Sequence, residues 1–187
     1  MNLPFLIEIK KDSKLQKLDE FAFSETQIKS IFIPSYTKII DKYTFSYCKK
    51  LQKVSFAVDS ELKIIDKRAF LNCSSLTKIT LPSQINQICD SAFARNSLLK
   101  TIEFKENCQL KIIESNAFAR TAIQLFSLPI HVIQIGKGAF NCQKLVLFEI
   151  VDNSELREIS HNVFNEKKLD CLIIPAELRS KLIIKKD

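Results

Sequence analysis

The most reactive side chains in this chain are six cysteines, two histidines and two groups of acidic residues. No two cysteines form a C-x-x-C pair, and His131 and His161 lie far from any cysteine cluster, so the spacing argues against a zinc site. The acidic groups are Asp59, Glu61 and Asp66 in one region and Asp152, Glu155 and Glu158 in another. Paired carboxylates can act as general acid and base, but turn and capping roles explain these residues more simply. The sequence therefore predicts no catalytic, metal-binding or cofactor-binding residue, and no enzyme.

A phenylalanine recurs along the chain at spacings of 22 to 25 residues. The seven positions are Phe23, Phe45, Phe70, Phe93, Phe118, Phe140 and Phe164. Five residues before each stands an aliphatic residue, in order Leu18, Ile40, Ile65, Ile88, Ile113, Ile135 and Ile159. A fixed period in the twenties is typical of a solenoid, in which one short unit stacks on copies of itself. The spacing predicts about seven repeats of 22–25 residues.

A second rhythm spans two repeats. Pro34, Pro82, Pro129 and Pro175 follow a second apolar run in every other repeat, and longer polar loops such as 57–61 replace the proline in the repeats between. Proline cannot donate to a strand ladder, and clusters of Asp, Asn and Ser favour turns, so both devices end a strand. The unit of duplication is therefore interpreted as a pair of repeats.

The apolar runs are too short for stable helices and are predicted to be strands. Each strand is expected to pair with its equivalent in the next repeat, giving a parallel sheet with about 4.8 Å per step. Capping residues such as Asp41 and Asp66 are expected to start a short helical turn that carries the phenylalanine inward. The phenylalanines should then form a buried ladder along the axis, because no single repeat could bury its ring alone.

Two successive segments, 75–82 (SLTKITLP) and 85–93 (INQICDSAF), resemble the BspA-like subclass of leucine-rich repeats. The resemblance covers nearly the whole chain and recurs in register. It implies a right-handed parallel β leucine-rich-repeat solenoid, α/β horseshoe-like, over residues 1–174. It also implies a cell-surface or secreted protein of bacteria or protists that engages host or matrix partners. The family cysteine is kept at Cys48, Cys73 and, one residue early, Cys142.

Residues 175–187 are expected to form a C-terminal cap or tail. Pro175 stands where a helix could begin, and apolar residues four apart follow it. A terminal amphipathic helix would cover the last repeat, as solenoids require.

Charge and cysteine usage leave the compartment open. The net charge of +7 comes from 28 basic residues dispersed among 21 acidic ones, which argues against nucleic-acid binding but allows weak binding of acidic polymers through lysines. The first ten residues align with a repeat strand rather than a signal peptide, and no run of about 18 apolar residues predicts a membrane span. Cys48, Cys73, Cys142 and Cys89 are expected to be small buried side chains, although neighbouring repeats bring Cys48 and Cys73 within bridging reach. The missing signal and unpaired cysteines favour the cytoplasm, whereas the family favours the cell surface.

A binding face is expected on the strands, where residues flanking the inward aliphatic point outward. The candidate residues are Phe32, Lys53, Lys78, Thr80, Thr101, Glu103, Leu125, Leu147 and Ile173. The first half of this face is polar with two lysines, and the second carries exposed apolar residues. Such residues usually mark a contact, here either with the C-terminal tail or with a partner or second copy.

The sequence thus predicts a non-enzymatic protein-interaction module with a protein or matrix ligand. Surface adhesion or host and matrix recognition is the first interpretation. An intracellular protein-binding scaffold is the alternative, and binding of acidic polymers is the second alternative.

Overall fold

The structure is a computed structural model that describes residues 9–164 and 170–185. It is a parallel β-solenoid of about seven turns, in which every strand pair is parallel. Each turn contributes one two- or three-residue strand to one face and, in most repeats, one four-residue strand to the other. Within the described ranges, no helix is long and apolar enough to cross a bilayer.

The odd-numbered strands are short and form a single eight-stranded sheet. They are β1 (Lys17–Leu18), β3 (Ile39–Ile40), β5 (Ile64–Ile65), β7 (Gln87–Ile88), β9 (Ile112–Ile113), β11 (Gln134–Ile135), β13 (Glu158–Ser160) and β15 (Ile183–Lys185). The repeated aliphatic residue lies in the first seven of these strands and is buried in each, as Ile40, Ile65 and Ile88 are completely. This sheet was missing from the sequence prediction, which assigned only the residue after each repeated aliphatic, such as Asp41, to the start of a turn.

The even-numbered strands are the predicted apolar runs. They are β2 (Ser30–Ile33), β4 (Lys53–Phe56), β6 (Lys78–Leu81), β8 (Thr101–Phe104), β10 (Leu125–Leu128), β12 (Leu147–Ile150) and β14 (Cys171–Ile173). They form three separate sheets, β2–β4, β6–β8 and β10–β12–β14. The expectation that every strand pairs with its equivalent in the next repeat is therefore wrong at two places, between β4 and β6 and between β8 and β10.

Two features of the proline repeats account for these breaks. The amide N–H groups of Ala57 and Lys105 donate to the carbonyls of Ile33 and Leu81, at 3.1 and 3.0 Å, and so add a last rung to their pairs. Pro82 stands at the equivalent place after β6, and it has no N–H to donate to β4. The loops after these strands also differ in length. Phe70 follows Lys53 by 17 positions, whereas Phe93 follows Lys78 by only 15.

The phenylalanine ladder is confirmed. Phe45, Phe70, Phe93, Phe118 and Phe140 are at most 1% exposed, and Phe23 and Phe164 at the two ends are partly buried. Successive rings from Phe23 to Phe118 stack with centroids 5.0 to 5.7 Å apart. Offset stacking at this distance is favourable beyond the apolar area that it buries.

The segment carrying each phenylalanine is a run of β-turns and not a helical turn as expected. Around Phe23, the N–H groups of Ala22 and Thr26 donate to the carbonyls three residues earlier. Residues two before and two after the ring have positive φ, 58° at Phe21 and 60° at Glu25, and this left-handed conformation interrupts a right-handed helix. The free N–H groups point along the axis instead, and that of Phe23 donates to the Thr44 carbonyl of the next repeat at 2.8 Å.

The C-terminal segment contains the predicted helix, but only as one turn. Helix α1 spans Ala176–Arg179, and Leu178 is its buried residue. Beyond it, β15 pairs with β13 and adds a further strand to the short-strand sheet. Most of the N-terminal segment that was aligned with a repeat strand lies outside the described residues.

Candidate binding face

The outward-pointing residues of the even-numbered strands occupy two parallel rows. In each four-residue strand the second residue points into the core, while the first and third face outward, as Lys78 and Thr80 do in β6. Register places first residue opposite first residue, so Lys78 lies beside Thr101 and Thr80 beside Glu103. Phe32, half-buried, lies beside Ser55, and Lys53 lies beside Ser30. The strand face therefore carries the candidate residues in the order that the repeat predicts.

The N-terminal half of this face is polar and rich in lysine. Lys78 Nζ lies 2.6 Å from Glu103 Oε1, and the Thr80 hydroxyl donates to Glu103 Oε2 at 3.0 Å. The hydrogen bond from Lys78, followed by that from Thr80, lowers the pKa of the Glu103 carboxyl, which stays ionised at neutral pH. Lys105 Nζ donates to the Val58 carbonyl at 3.3 Å and so links two long loops.

The C-terminal half is apolar. Leu125 is 65% exposed and lies directly beside the half-buried Leu147, whose other neighbour is the exposed Cys171. Ile173, 44% exposed, belongs to the second row and lies beside Glu149. The sequence placed Leu125, Leu147 and Ile173 at neighbouring steps, and the register brings only the first two side by side. The C-terminal segment leaves Leu125 open to solvent within the described residues.

Three of the acidic residues considered for catalysis make contacts within a turn or between repeats. Asp59 Oδ1 accepts a hydrogen bond from the Ser35 hydroxyl at 2.6 Å, and Asp66 Oδ1 accepts one from the Lys67 amide at 2.6 Å. The Glu155 carboxylate lies 2.9 Å from His131 Nδ1. Among residues 9–164 and 170–185, no group of three His, Cys, Asp or Glu side chains is placed to hold a metal ion. These contacts agree with turn and inter-repeat roles.

Residues 2–181 match one repeat family. The match, to the family described as BspA type leucine rich repeat region, comprises six copies over residues 2–96 and 63–181. The chain belongs to the BspA-type leucine-rich repeat family. Repeats of this family form scaffolds for protein interaction and are typically non-catalytic binding modules. No curated protein matches the chain.

Solved structures share this fold at low sequence identity. The pneumococcal vaccine antigen PcpA superposes with a TM-score of 0.72 at 24% identity, over 84% of this chain and 50% of that one. A leucine-rich cell surface protein of Faecalibacterium prausnitzii gives 0.62 at 20% identity, over 90% of this chain and 54% of that one. The leucine-rich repeat protein TpLRR of T. pallidum gives 0.55 at 21% identity, over 84% and 62%. The chain spans about half to three fifths of the length of these structures.

The BspA-type cysteine position forms a row of hydrogen-bond donors, which sequence reasoning missed. Cys48 Sγ and Cys73 Sγ donate to the carbonyls of Phe23 and Phe45 in the preceding repeats, at 2.9 and 3.1 Å. In the next repeat Asn96 Nδ2 donates to the Phe70 carbonyl at 2.9 Å. Asn96 thus supplies the same donor as cysteine, whereas Thr121 in the following repeat donates to the Phe118 carbonyl of its own repeat, at 2.8 Å. The sequence did contain a signal for this row, because Cys, Asn and Thr can all donate a hydrogen bond and they occupy the same position of the repeat.

All six cysteines are free thiols, and five of them are buried. Burial is the main cause that raises the pKa of Cys73, and burial followed by the charge of Glu114 raises the pKa of Cys89 to about 12. A thiol with a raised pKa is a poor nucleophile, since the thiolate is the reactive form. The buried cysteines are therefore structural members of the BspA-type repeat.

Proposed function

We propose that the strand face is the recognition surface of a cell-surface adhesion module that binds a host or matrix protein. The observation that carries this proposal is the apolar end of the face, where Leu125 lies beside Leu147 and is 65% exposed. Val146, directly before β12, is a further exposed apolar residue, 41% exposed. Contiguous exposed apolar side chains rimmed by polar residues mark protein contacts.

Family membership supports the same proposal. Two solved structures with this fold are described as a vaccine antigen and a cell surface protein. The rigid turn ladder holds the strands in fixed register, so side chains from successive repeats form one continuous surface. A partner would contact several repeats at once, which is how solenoids gain binding area.

An intracellular scaffold is the second candidate, and the free cysteines favour it. Six thiols without a disulfide fit a reducing compartment, where protein thiols stay reduced. Both candidates use the same face and differ only in where the partner is found.

Protease treatment of intact source cells distinguishes the two. Immunoblotting for this chain, with a cytosolic protein as the control, should show loss of the chain while the control remains whole. Full protection of the chain under conditions that remove a known surface protein would contradict the adhesion proposal and favour the intracellular scaffold.

The apolar end of the face is tested with a paired substitution, Leu125→Asp with Leu147→Asp. Sedimentation velocity measures self-association of the chain. Chemical crosslinking of the chain to proteins on host cells measures partner capture. The matched control is Val58→Asp with Leu98→Asp, which places two carboxylates at exposed apolar positions away from the strand face. We expect the first variant to lose capture or self-association while circular dichroism shows an intact fold. Equal behaviour of the two variants would contradict the assignment of this surface.

A further inference from the structure

A cleft opens in the strand face between β4 and β6, where the hydrogen-bonded ladder is interrupted. The N–H and C=O groups of alternate residues in a strand point to opposite sides. Since those of Lys53 and Ser55 face β2, those of Val54 and Phe56 face β6. By the same alternation, the main-chain groups of Lys78 and Thr80 face β4. Donors and acceptors thus line both sides of the cleft without a β4–β6 ladder between them.

Three lysines surround this cleft, whose volume is about 480 Å³. Lys53, Lys78 and Lys105 line it together with Val54, Phe56 and Ile79. Glu103 neutralises Lys78, while Lys53 has no ion-pair partner within the described residues. The cleft therefore has positive charge at its rim. Val54 and Ile79 are buried beneath it and the half-buried Phe56 lies at one end, so its base is apolar.

We propose that this cleft binds an extended segment of a partner protein that carries carboxylate side chains. The proposal rests on the proposed function of the strand face and names the chemistry of its partner. Carboxylates would pair with Lys53 and Lys105, and the main chain of the segment would run along the cleft, where the facing main-chain groups of β4 and β6 form no ladder. Charge-assisted hydrogen bonds of this kind are stronger than neutral ones.

A protein segment fits the cleft better than a polyanion does. A peptide main chain offers donors as well as acceptors, and both kinds of group line the cleft. A sulfated glycan or a nucleic acid offers chiefly anionic acceptors and binds through many repeated cations. Here the cations are three, one of them already paired, and the apolar base suits an aliphatic side chain between two carboxylates.

Fluorescence anisotropy at low salt tests the proposal with a labelled nine-residue peptide of alternating aspartate and valine. The comparison peptide has asparagine in place of aspartate. We expect the aspartate peptide to bind at least about tenfold more tightly than the asparagine peptide. Lys53→Gln with Lys105→Gln should weaken it by about tenfold, while the control Lys111→Gln with Lys144→Gln, of equal charge change, should alter it less than about twofold.

The position of binding is measured by amide chemical shifts in the intact chain. The peptide should shift the amides of Val54, Phe56, Lys78 and Thr80 more than those of the short-strand sheet. Equal binding of the two peptides, equal loss in both lysine variants, or no saturable binding at millimolar peptide would overturn the proposal. Tighter binding of heparin or an oligonucleotide, with shifts spread over exposed lysines, would also overturn it in favour of a polyanion.

A separate variant distinguishes failure of this inference from failure of the proposed function. Leu125→Asp with Leu147→Asp lies outside the cleft and should leave binding of the aspartate peptide unchanged. If the peptide fails to bind while partner capture still depends on Leu125 and Leu147, the cleft inference is wrong and the strand face remains the recognition surface.

Discussion

Asn96 offers a sharp test of the donor row that joins successive repeats. Its side chain is completely buried, and Nδ2 donates to the Phe70 and Phe93 carbonyls at 2.9 and 2.8 Å. Its Oδ1 has no hydrogen-bond partner within the described residues. The asparagine therefore satisfies two buried acceptors and leaves one of its own atoms unsatisfied, so replacement by alanine and replacement by cysteine should change the free energy of unfolding by different amounts.

Asn96→Ala removes both hydrogen bonds and leaves two buried carbonyls short of a donor. An unsatisfied buried acceptor costs about 1–3 kcal/mol, so we expect the free energy of unfolding to fall by about 2–4 kcal/mol after relief of Oδ1. Asn96→Cys retains a donor to the Phe70 carbonyl, as Cys73 donates to Phe45. It loses one bond and also removes the unsatisfied oxygen, so we expect a change within about 1 kcal/mol.

Urea unfolding followed by far-ultraviolet circular dichroism measures both variants, because the chain has no tryptophan for fluorescence. The buffer is kept reducing so that the added thiol stays free. The midpoint of Asn96→Ala should fall well below that of Asn96→Cys at an unchanged slope. If the two variants lose the same free energy, or alanine is as stable as asparagine, the donor row does not stabilise the stack and the reasoning is refuted.

Three further experiments probe the ladder, the charges and the cleft. Phe93→Ala should lose about 3–5 kcal/mol and Phe23→Ala at least about 1 kcal/mol less, because Phe93 is fully buried between two rings; equal losses in urea unfolding would contradict this. The hydrogen bond from Lys17 lowers the pKa of Asp41, so Asp41→Asn should cost about 0.5 kcal/mol at neutral pH. That difference is full above the ordinary aspartate pKa and should vanish as pH falls through the lowered pKa of Asp41; a difference that stays constant as the solution is acidified would refute it. Pro82→Ala restores an N–H donor that faces the end of β4, so it should slow hydrogen exchange of the amides at the cleft. Pro34→Ala is the control and should leave this exchange unchanged, because Pro34 follows β2 and no ladder break lies before β2–β4.

The sequence predicted the parts of the fold that repeat with one strong residue type. Phenylalanine and the aliphatic residue before it recur in every unit, so the buried ladder could be placed to the residue. The short-strand sheet could not, because two-residue strands such as Ile39–Ile40 are too brief to show alternation. The left-handed turns were also hidden. Phe21 and Tyr43 take positive φ, and neither residue type signals that conformation.

The candidate face was predictable in composition but not in shape. Periodicity identified Lys53 and Lys78 as outward residues, and both line the cleft. Nothing in a single repeat indicates that β4 and β6 lack a ladder, because the break depends on how two unlike loops stack. The prolines carried the signal, since each removes one donor at a fixed place in the pair of repeats.

The ladder breaks define which part of the solenoid can change shape. Between these two repeats the turn side stays bonded, with Phe70 N–H on the Ala92 carbonyl at 2.8 Å and Asn72 N–H on the Ala94 carbonyl at 2.9 Å. The strand side has no such bonds between β4 and β6. Any bending at this junction must therefore widen or narrow the cleft while the turn ladder acts as the hinge.

The β12–β14 pair shows that proline alone does not open a cleft. Pro175 stands at the equivalent position there, and it only shortens the ladder to three residue pairs. Opening requires the missing donor together with the unequal loops, and a segment bound along the cleft would lie where this pair of repeats lacks its ladder.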